Sequence, residues 1–229
     1  MRPGHRRGNA VVIIFDCNGV LVDSEPIAMS VAAREFQRVG LRITPEVVAR
    51  YFTGRRPSDM FAEVEAAVGI RLPQDFAATV AKATLERLEL ELRAIPHAAH
   101  ALSWLRGPKC VASSSPLARV RASLEYTDLL RFFEPNVFSA SHVGAGKPAP
   151  DLFLHVANRM GIVPQDCIVV EDSPAGVQAA VAAGMMPIGF VGGGHAALNL
   201  GGHLVAAGAR AVIADMRALK GTIVSLRGY

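Results

Sequence analysis

Six short runs of mainly apolar, often β-branched residues punctuate the chain, at 11–15, 109–113, 137–140, 168–171, 187–191 and 211–214. Each ends on polar or small residues. None shows the apolar–polar alternation of a strand with one wet face, so the runs read as strands buried on both sides. Between most of them lie segments with helical spacing closed by glycine, at 116–125, 149–160 before Gly161 and 174–183 before Gly184. Strands alternating with helices of this length predict an α/β fold, a parallel sheet with helices on both faces. In such sheets ligands bind outside the carboxyl ends of the strands.

The stretch 24–93 breaks that alternation and reads as helices only. Ser24 is a candidate N-cap, and Ala28, Ala32, Phe36 and Val39 follow at helical spacing up to Gly40. Thr44 and Pro45 open a second helix that stops before Gly54. A third is expected over 58–68 before Gly69, and a fourth over 74–92. A four-helix insert that leaves after the first strand and returns before the second would hang over the strand ends as a cap. The expected division is a disordered basic tail over 1–9, a core over 10–23 and 94–229, and a cap over 24–93.

Composition narrows the function classes. At 229 residues and 51% hydrophobic, the chain can bury a sizeable core. Much of its net charge of +4 sits in Arg2, Arg6 and Arg7 of the tail, beside His5. No aromatic residues interleave with that cluster and no basic stripe follows, so nucleic acid is not an expected partner. The run at 11–15 is too short for a signal-peptide core or a membrane span. Cys17, Cys110 and Cys167 form no CxxC pair or metal-ligand spacing and are expected as reduced, buried thiols. A soluble, cytoplasmic protein with no membrane partner is the expectation.

The candidate chemistry lies at the strand ends. The first strand ends in Asp16, followed by Cys17-Asn18-Gly19, and the second in Ser113, followed by Ser114 and Ser115. The third leads through Gly144-Ala145-Gly146 to Lys147, and the fourth ends in Glu171-Asp172-Ser173. Each is ordinary alone, as a turn residue or a helix cap. Together they make a pocket of mixed charge that suits a phosphate. Asp16 can attack phosphorus to form an aspartyl-phosphate. Two anions repel, which calls for Mg2+, a hard cation that accepts carboxylate and carbonyl oxygens, with Asp172 and Glu171 completing its site. Lys147 would neutralise the transferring group and hold Asp16. Ser113 and Ser114, with the amides after Ser113 and the helix N-terminus near Pro116, would bind phosphate oxygens.

The stretch Phe15-Asp16-Cys17-Asn18-Gly19-Val20-Leu21-Val22-Asp23-Ser24-Glu25-Pro26 resembles the first motif of the haloacid dehalogenase-like hydrolase superfamily. Val111-Ala112-Ser113 resembles its second, Gly146-Lys147-Pro148-Ala149-Pro150-Asp151 its third, and Val170-Glu171-Asp172-Ser173-Pro174-Ala175-Gly176 its fourth. The nearest branch holds β-phosphoglucomutase and small sugar-phosphate phosphatases. The resemblance implies a Rossmann-like core with a helical cap. It implies Asp16 as nucleophile, Ser113 and Lys147 as phosphate ligands, and Mg2+ held by Asp16, Asp172, Glu171 and the main-chain carbonyl of Asn18. Gly54-Arg55-Arg56 resembles that branch's substrate loop, which makes Arg55 and Arg56 candidate substrate ligands from the cap.

One position departs from the family pattern. Its phosphatases and mutases carry an acid/base Asp two residues after the nucleophile, and here that residue is Asn18. An amide cannot exchange protons at neutral pH, and losing general acid–base help typically lowers a rate by ~10²–10⁴. An Asp→Asn change made to trap substrate, a natural slow enzyme and a phosphate-binding protein without turnover all fit. A mutase would want a histidine where Ala28 stands and an arginine where Pro57 stands. A phosphonatase would want a Schiff-base lysine, and the cap's Lys82 lies far in sequence from the cap loop. The expectation is a Mg2+-dependent phosphatase acting on a small phosphorylated metabolite, a sugar or polyol phosphate. An impaired ester-binding protein and a sugar-phosphate mutase are the alternatives.

Overall fold

The structure, a computed structural model, describes residues 11–52 and 57–227, excluding the side chains of 49–52. The basic tail expected over 1–9 and the Gly54-Arg55-Arg56 loop lie outside the described residues. In chain order the first half runs β1 (Val12–Phe15), α1 (Glu25–Arg38), α2 (Pro45–Phe52), α3 (Pro57–Val68), α4 (Phe76–Glu91) and α5 (Ala98–Trp104). It continues with β2 (Lys109–Ser113), α6 (Leu117–Tyr126), β3 (Val137–Ser139) and α7 (Asp151–Met160). Then come β4 (Cys167–Glu171), α8 (Pro174–Ala182), β5 (Met186–Phe190), α9 (Leu200–Ala207), β6 (Ala211–Ile213) and α10 (Leu219–Arg227).

The sheet is parallel throughout, in the order β3-β2-β1-β4-β5-β6. Its direction of growth reverses between β1 and β4, so the crevice for a ligand opens at the carboxyl end of the first strand. The two-residue strand period sorts the core into two layers. Ile13, Phe15, Val111, Ile168 and Val170 face one layer with Leu102 of α5, Val120 and Leu124 of α6 and Leu219 of α10. Val12, Ile14, Cys110, Ala112 and Val169 face the other with Phe153 and Val156 of α7 and Ala179 and Ala180 of α8. This is the expected α/β, Rossmann-like parallel sheet.

The four-helix insert after β1 carries its own apolar cluster, in which Phe36 of α1, Phe61 of α3 and Phe76 of α4 meet at ring-centroid separations of 5.1–6.1 Å. Its two connections to the sheet run side by side. Asp23 N donates to Arg93 O (2.9 Å) and Ile95 N to Leu21 O (2.9 Å). Strand ends agree with the sequence expectation to within about a residue. Three helices, α5, α9 and α10, stand where none was expected, and one expected cap differs. The glycine-rich 192–209 stretch contains α9 despite Gly201 and Gly202, because Leu204 packs its apolar side over Gly189 of β5. Ser24 stands at the N-cap of α1 without capping it, since its buried hydroxyl donates to Asn18 Oδ1 instead (3.0 Å).

The three cysteines are buried free thiols, as expected. Burial pushes all three above their ordinary pKa, Cys167 to about 11, which keeps them protonated and unreactive. Among the described residues, no helix is long and apolar enough to cross a membrane.

Candidate functional site

Sheet register sets the heights of the polar strand ends. Phe15 pairs with Val111 on one side and Val170 on the other, so Asp16, Ala112 and Glu171 stand level. Lys147 arrives from the segment after β3. Its Nζ donates to Asp16 Oδ1 (2.7 Å), to Glu171 Oε1 and to Ala112 O (3.4 Å), above the ring of Phe153 (5.4 Å). Lys147, Asp16 and Glu171 are all buried. Burial alone would lower the lysine's pKa, but Asp16 and Glu171 outweigh it and hold the ammonium above its ordinary value. Burial raises the Asp16 carboxyl well above the usual carboxylate range, Lys147 opposes this, and Glu171 and Asp172 add to it.

Both Glu171 oxygens are engaged. Oε1 faces Lys147, and Oε2 accepts from Ser173 N (3.3 Å) and Ser173 Oγ (2.9 Å). Ser173 in turn caps α8 by accepting from Gly176 N (3.0 Å). A Cβ at Gly176 would lie 2.0 Å from the Glu171 carboxyl carbon, so the first turn of α8 needs glycine there. Asp172 contrasts with this, because its Oδ2 is buried without a hydrogen bond. Gly19, at φ +72, lies so close that a Cβ would stand 1.9 Å from Asp172 Oδ2. The loop after the first strand is thus shaped around that oxygen.

Asn18 is held at both ends. Its Nδ2 donates to Ser115 Oγ (2.8 Å) and its Oδ1 accepts from Ser24 Oγ (3.0 Å). Ser113, buried at the end of β2, accepts from Ser115 N (3.2 Å), which tightens the turn leading into α6. Asp16, Asn18, Ser113, Ser114, Ser115 and Asp172 line one cavity. The insert closes it with Ala28, Met29 and Ala32 of α1, Pro57 and Met60 of α3, and Val80 and Thr84 of α4. The structure therefore brings together every described residue expected at the strand ends, with Lys147 and Glu171 beneath the cavity floor. Arg55 and Arg56 lie outside the described residues.

Three residues of this region escaped the sequence reading. The side chain of His195 is buried with Nε2 3.0 Å from Asp172 Oδ2, without making a hydrogen bond. Burial would lower its pKa, but Asp172, with Glu25 and Asp23, raises it to about 9. Its loop is tied down where Gly194 N donates to Asp23 Oδ1 (2.9 Å). Only the glycines at 192–194 hinted at a close approach. Glu25, at the start of α1, and Arg119, on α6, also line the cavity. Burial raises the Glu25 carboxyl, and the charge of Arg119 pulls the other way. Nothing local marked Arg119, three residues beyond Pro116 in an ordinary helical pattern.

Residues 11–184 match the profile of the haloacid dehalogenase-like hydrolases. The chain is 34% identical over 184 residues to the 6-phosphogluconate phosphatase of Escherichia coli (strain K12), covering 80% of this chain and 83% of that one. It is 32% identical over 176 residues to the fructose-1-phosphate phosphatase YqaB of the same organism, covering 76% and 92%. The crystal structure of a haloacid dehalogenase-like protein of Agrobacterium tumefaciens superposes with a TM-score of 0.82 at 37% identity, over 96% of this chain and all of that one.

Proposed function

The chain belongs to the haloacid dehalogenase-like hydrolases and is a phosphoric monoester hydrolase of that family, and from this premise we propose that it hydrolyses a small sugar or polyol phosphate through an aspartyl-phosphate on Asp16. One observation carries the reading. Lys147 holds one oxygen of Asp16 against Glu171, at the switch point of the sheet and beneath a cavity that is also lined by Ser113, Ser114 and Asp172.

The residues fit Mg2+. The buried carboxylates of Asp16 and Glu171 share the ammonium of Lys147, and Asp172 Oδ2, 3.0 Å from His195 Nε2, makes no hydrogen bond among the described residues. Asp16, Asp172 and the carbonyl of Asn18 would hold the ion, which would offset charge between carboxylate and phosphate. Glu171 departs from the expected ligand role in this reading. Its oxygens already serve Lys147 and Ser173, so it anchors the lysine instead. His195 fills the space beside Asp172 and positions that carboxylate. Residues 24–93 act as a cap, with the paired links at Asp23–Arg93 and Leu21–Ile95 as its root.

In the first step Asp16 forms an O–P bond as the ester O–P bond breaks, and the departing alkoxide must take up a proton. In the second, water attacks phosphorus, loses a proton and frees Asp16. Lys147 and the Ser113–Ser114 turn hold the phosphoryl oxygens in both steps. Asn18 can donate a hydrogen bond to the leaving oxygen but cannot exchange the proton, so both steps are slow. That engaged amide favours a second reading, a phosphate-ester binding protein without turnover.

Both readings face one assay. The chain and its Asn18→Asp variant are incubated with Mg2+ and a panel of sugar and polyol phosphates. Turnover by the variant, with an acid-stable label on Asp16, supports the phosphatase. A variant that hydrolyses none of the panel ends that reading.

A further inference from the structure

Arg119 is not used by the chemistry above, and its surroundings are unusual for an arginine. It projects from the first turn of α6 into the cavity that contains Asp16 and Asn18, and it also lines an adjoining groove of about 550 Å3 between α4 and the core. Pro57, Val80, Thr84, Ser114 and Arg119 are common to both spaces, so Arg119 stands between the two. Its Nε and Nη2 are buried and have no hydrogen-bond partner among the described residues. These two nitrogens form one edge of the guanidinium and carry parallel N–H bonds. That edge matches the two oxygens of a carboxylate or a phosphate. Two buried donors without a protein partner are costly unless a group brought from outside fills them.

The neighbouring charges narrow the occupant. Arg119 is the single cation among the described residues lining the inner cavity, with Asp16, Glu25 and Asp172 as the anions. Lys147 and the Ser113–Ser114 turn already serve the phosphoryl group on the floor. Glu25 lies within electrostatic reach of Arg119, yet no oxygen of the described residues bonds the Nε/Nη2 edge. The cap side of the cavity is mostly apolar: Met29, Ala32, Val48, Met60 and Val80 supply no competing donor.

We propose that Arg119 is a specificity-determining residue that takes a second anionic group, on the leaving-group side of the phosphate monoester, through its Nε/Nη2 edge. The substrate class is then a phosphorylated sugar acid or a bisphosphorylated sugar rather than a neutral sugar phosphate. This rests on the phosphatase reading for which end of the ester is which, but binding tests it independently of turnover.

The experiment measures dissociation constants by calorimetry for the full chain with Mg2+. The probes are 6-phosphogluconate, sorbitol 6-phosphate and fructose 1,6-bisphosphate. The first two differ only in a carboxylate against a hydroxymethyl group. The expected preference for an anionic tail over the neutral ester is ~10–100-fold, the worth of a charge-assisted bidentate contact. The ratio should fall close to one in Arg119→Gln and be recovered in part in Arg119→Lys, which keeps the charge and loses the fork. A preference for the carboxylate ester alone identifies a sugar acid, and one for the bisphosphate alone a second phosphate. No preference in the unaltered chain, or a ratio that survives Arg119→Gln, overturns the proposal. Should Arg119→Gln fail to fold, the Lys variant decides, since an unchanged ratio there excludes the fork. Parallel kcat/KM values in the Asn18→Asp variant separate the two levels. Hydrolysis of all three esters at equal rates sinks the role of Arg119 alone, whereas no hydrolysis of any ester sinks the phosphatase reading and leaves the binding ratio to judge Arg119.

Discussion

The floor and the roof of the cavity are built on different physics. On the floor, Lys147 is tied to Asp16, Glu171 and Ala112, and Glu171 is tied to Ser173, so these groups are paired. Across the roof, Met29, Ala32, Val48, Met60 and Val80 offer apolar surface without fixed polar direction. Where the two meet, Arg119 presents an unpaired edge. A buried charge network needs every partner, because one unpaired charge costs several kcal/mol. An apolar wall built partly from Met is adaptable. On the proposed reading, chemistry belongs to the floor and recognition to the roof and its rim.

Changes on the floor should produce the largest effects. Asp16→Asn, made in the Asn18→Asp variant so that there is turnover to lose, should lower the rate by at least ~10⁴-fold and abolish the acid-stable label. Residual labelling at an unchanged rate would move the nucleophile elsewhere. Asn18→Asp alone should raise turnover by ~10²–10⁴, measured as phosphate release. A variant no faster than the parent would mean that proton transfer is not what limits the site. Lys147→Met leaves Asp16 and Glu171 facing each other without a cation, and should destabilise the fold by ~3–5 kcal/mol in denaturant titration. Saturating Mg2+ should stabilise the unaltered chain by about 2.7 kcal/mol at a hundred times its Kd. Asp172→Asn should lose most of that gain, and a full gain in this variant would place the ion away from Asp172.

The roof should be far more tolerant. Thr84 lines the cavity, but its hydroxyl donates to Val80 O within α4 (2.7 Å). Thr84→Val keeps the shape and removes only that bond, so it should cost less than about 1.5 kcal/mol of stability. KM should move by less than roughly threefold, a shift too small for the loss of a substrate hydrogen bond. A large rise in KM would show that the roof, too, reads the substrate through fixed polar groups.

Much of this was legible in the sequence, and the reason is local. Strands buried on both faces show as unbroken apolar runs, and the polar residues that end them lie at the carboxyl edge of a parallel sheet. Asp16, Ser113 and Asp172 could be selected on that rule, and Lys147 with them because a loop after the third strand must return over the same edge. The insert was legible because its helical spacing interrupts the strand–helix alternation.

What the sequence could not decide was direction and company. Glu171 and Asp172 are adjacent acids, equally suited to a metal by composition. The pleat turns one beneath the floor to Lys147 and Ser173 and leaves the other at the cavity beside His195, without a hydrogen bond. Ser24 carries a helix-capping signature, yet its hydroxyl goes to Asn18 because the loop after β1 folds back within reach. Arg119 and His195 gain their meaning from their surroundings across the fold, with Arg119 set opposite the cap and His195 against Asp172. No spacing rule reports such surroundings. The sequence alone thus determined which side chains end the strands and what chemistry they can carry. Only tertiary packing, by choosing which buried polar atoms find partners and which remain open, decided where the cavity stands ready for a ligand.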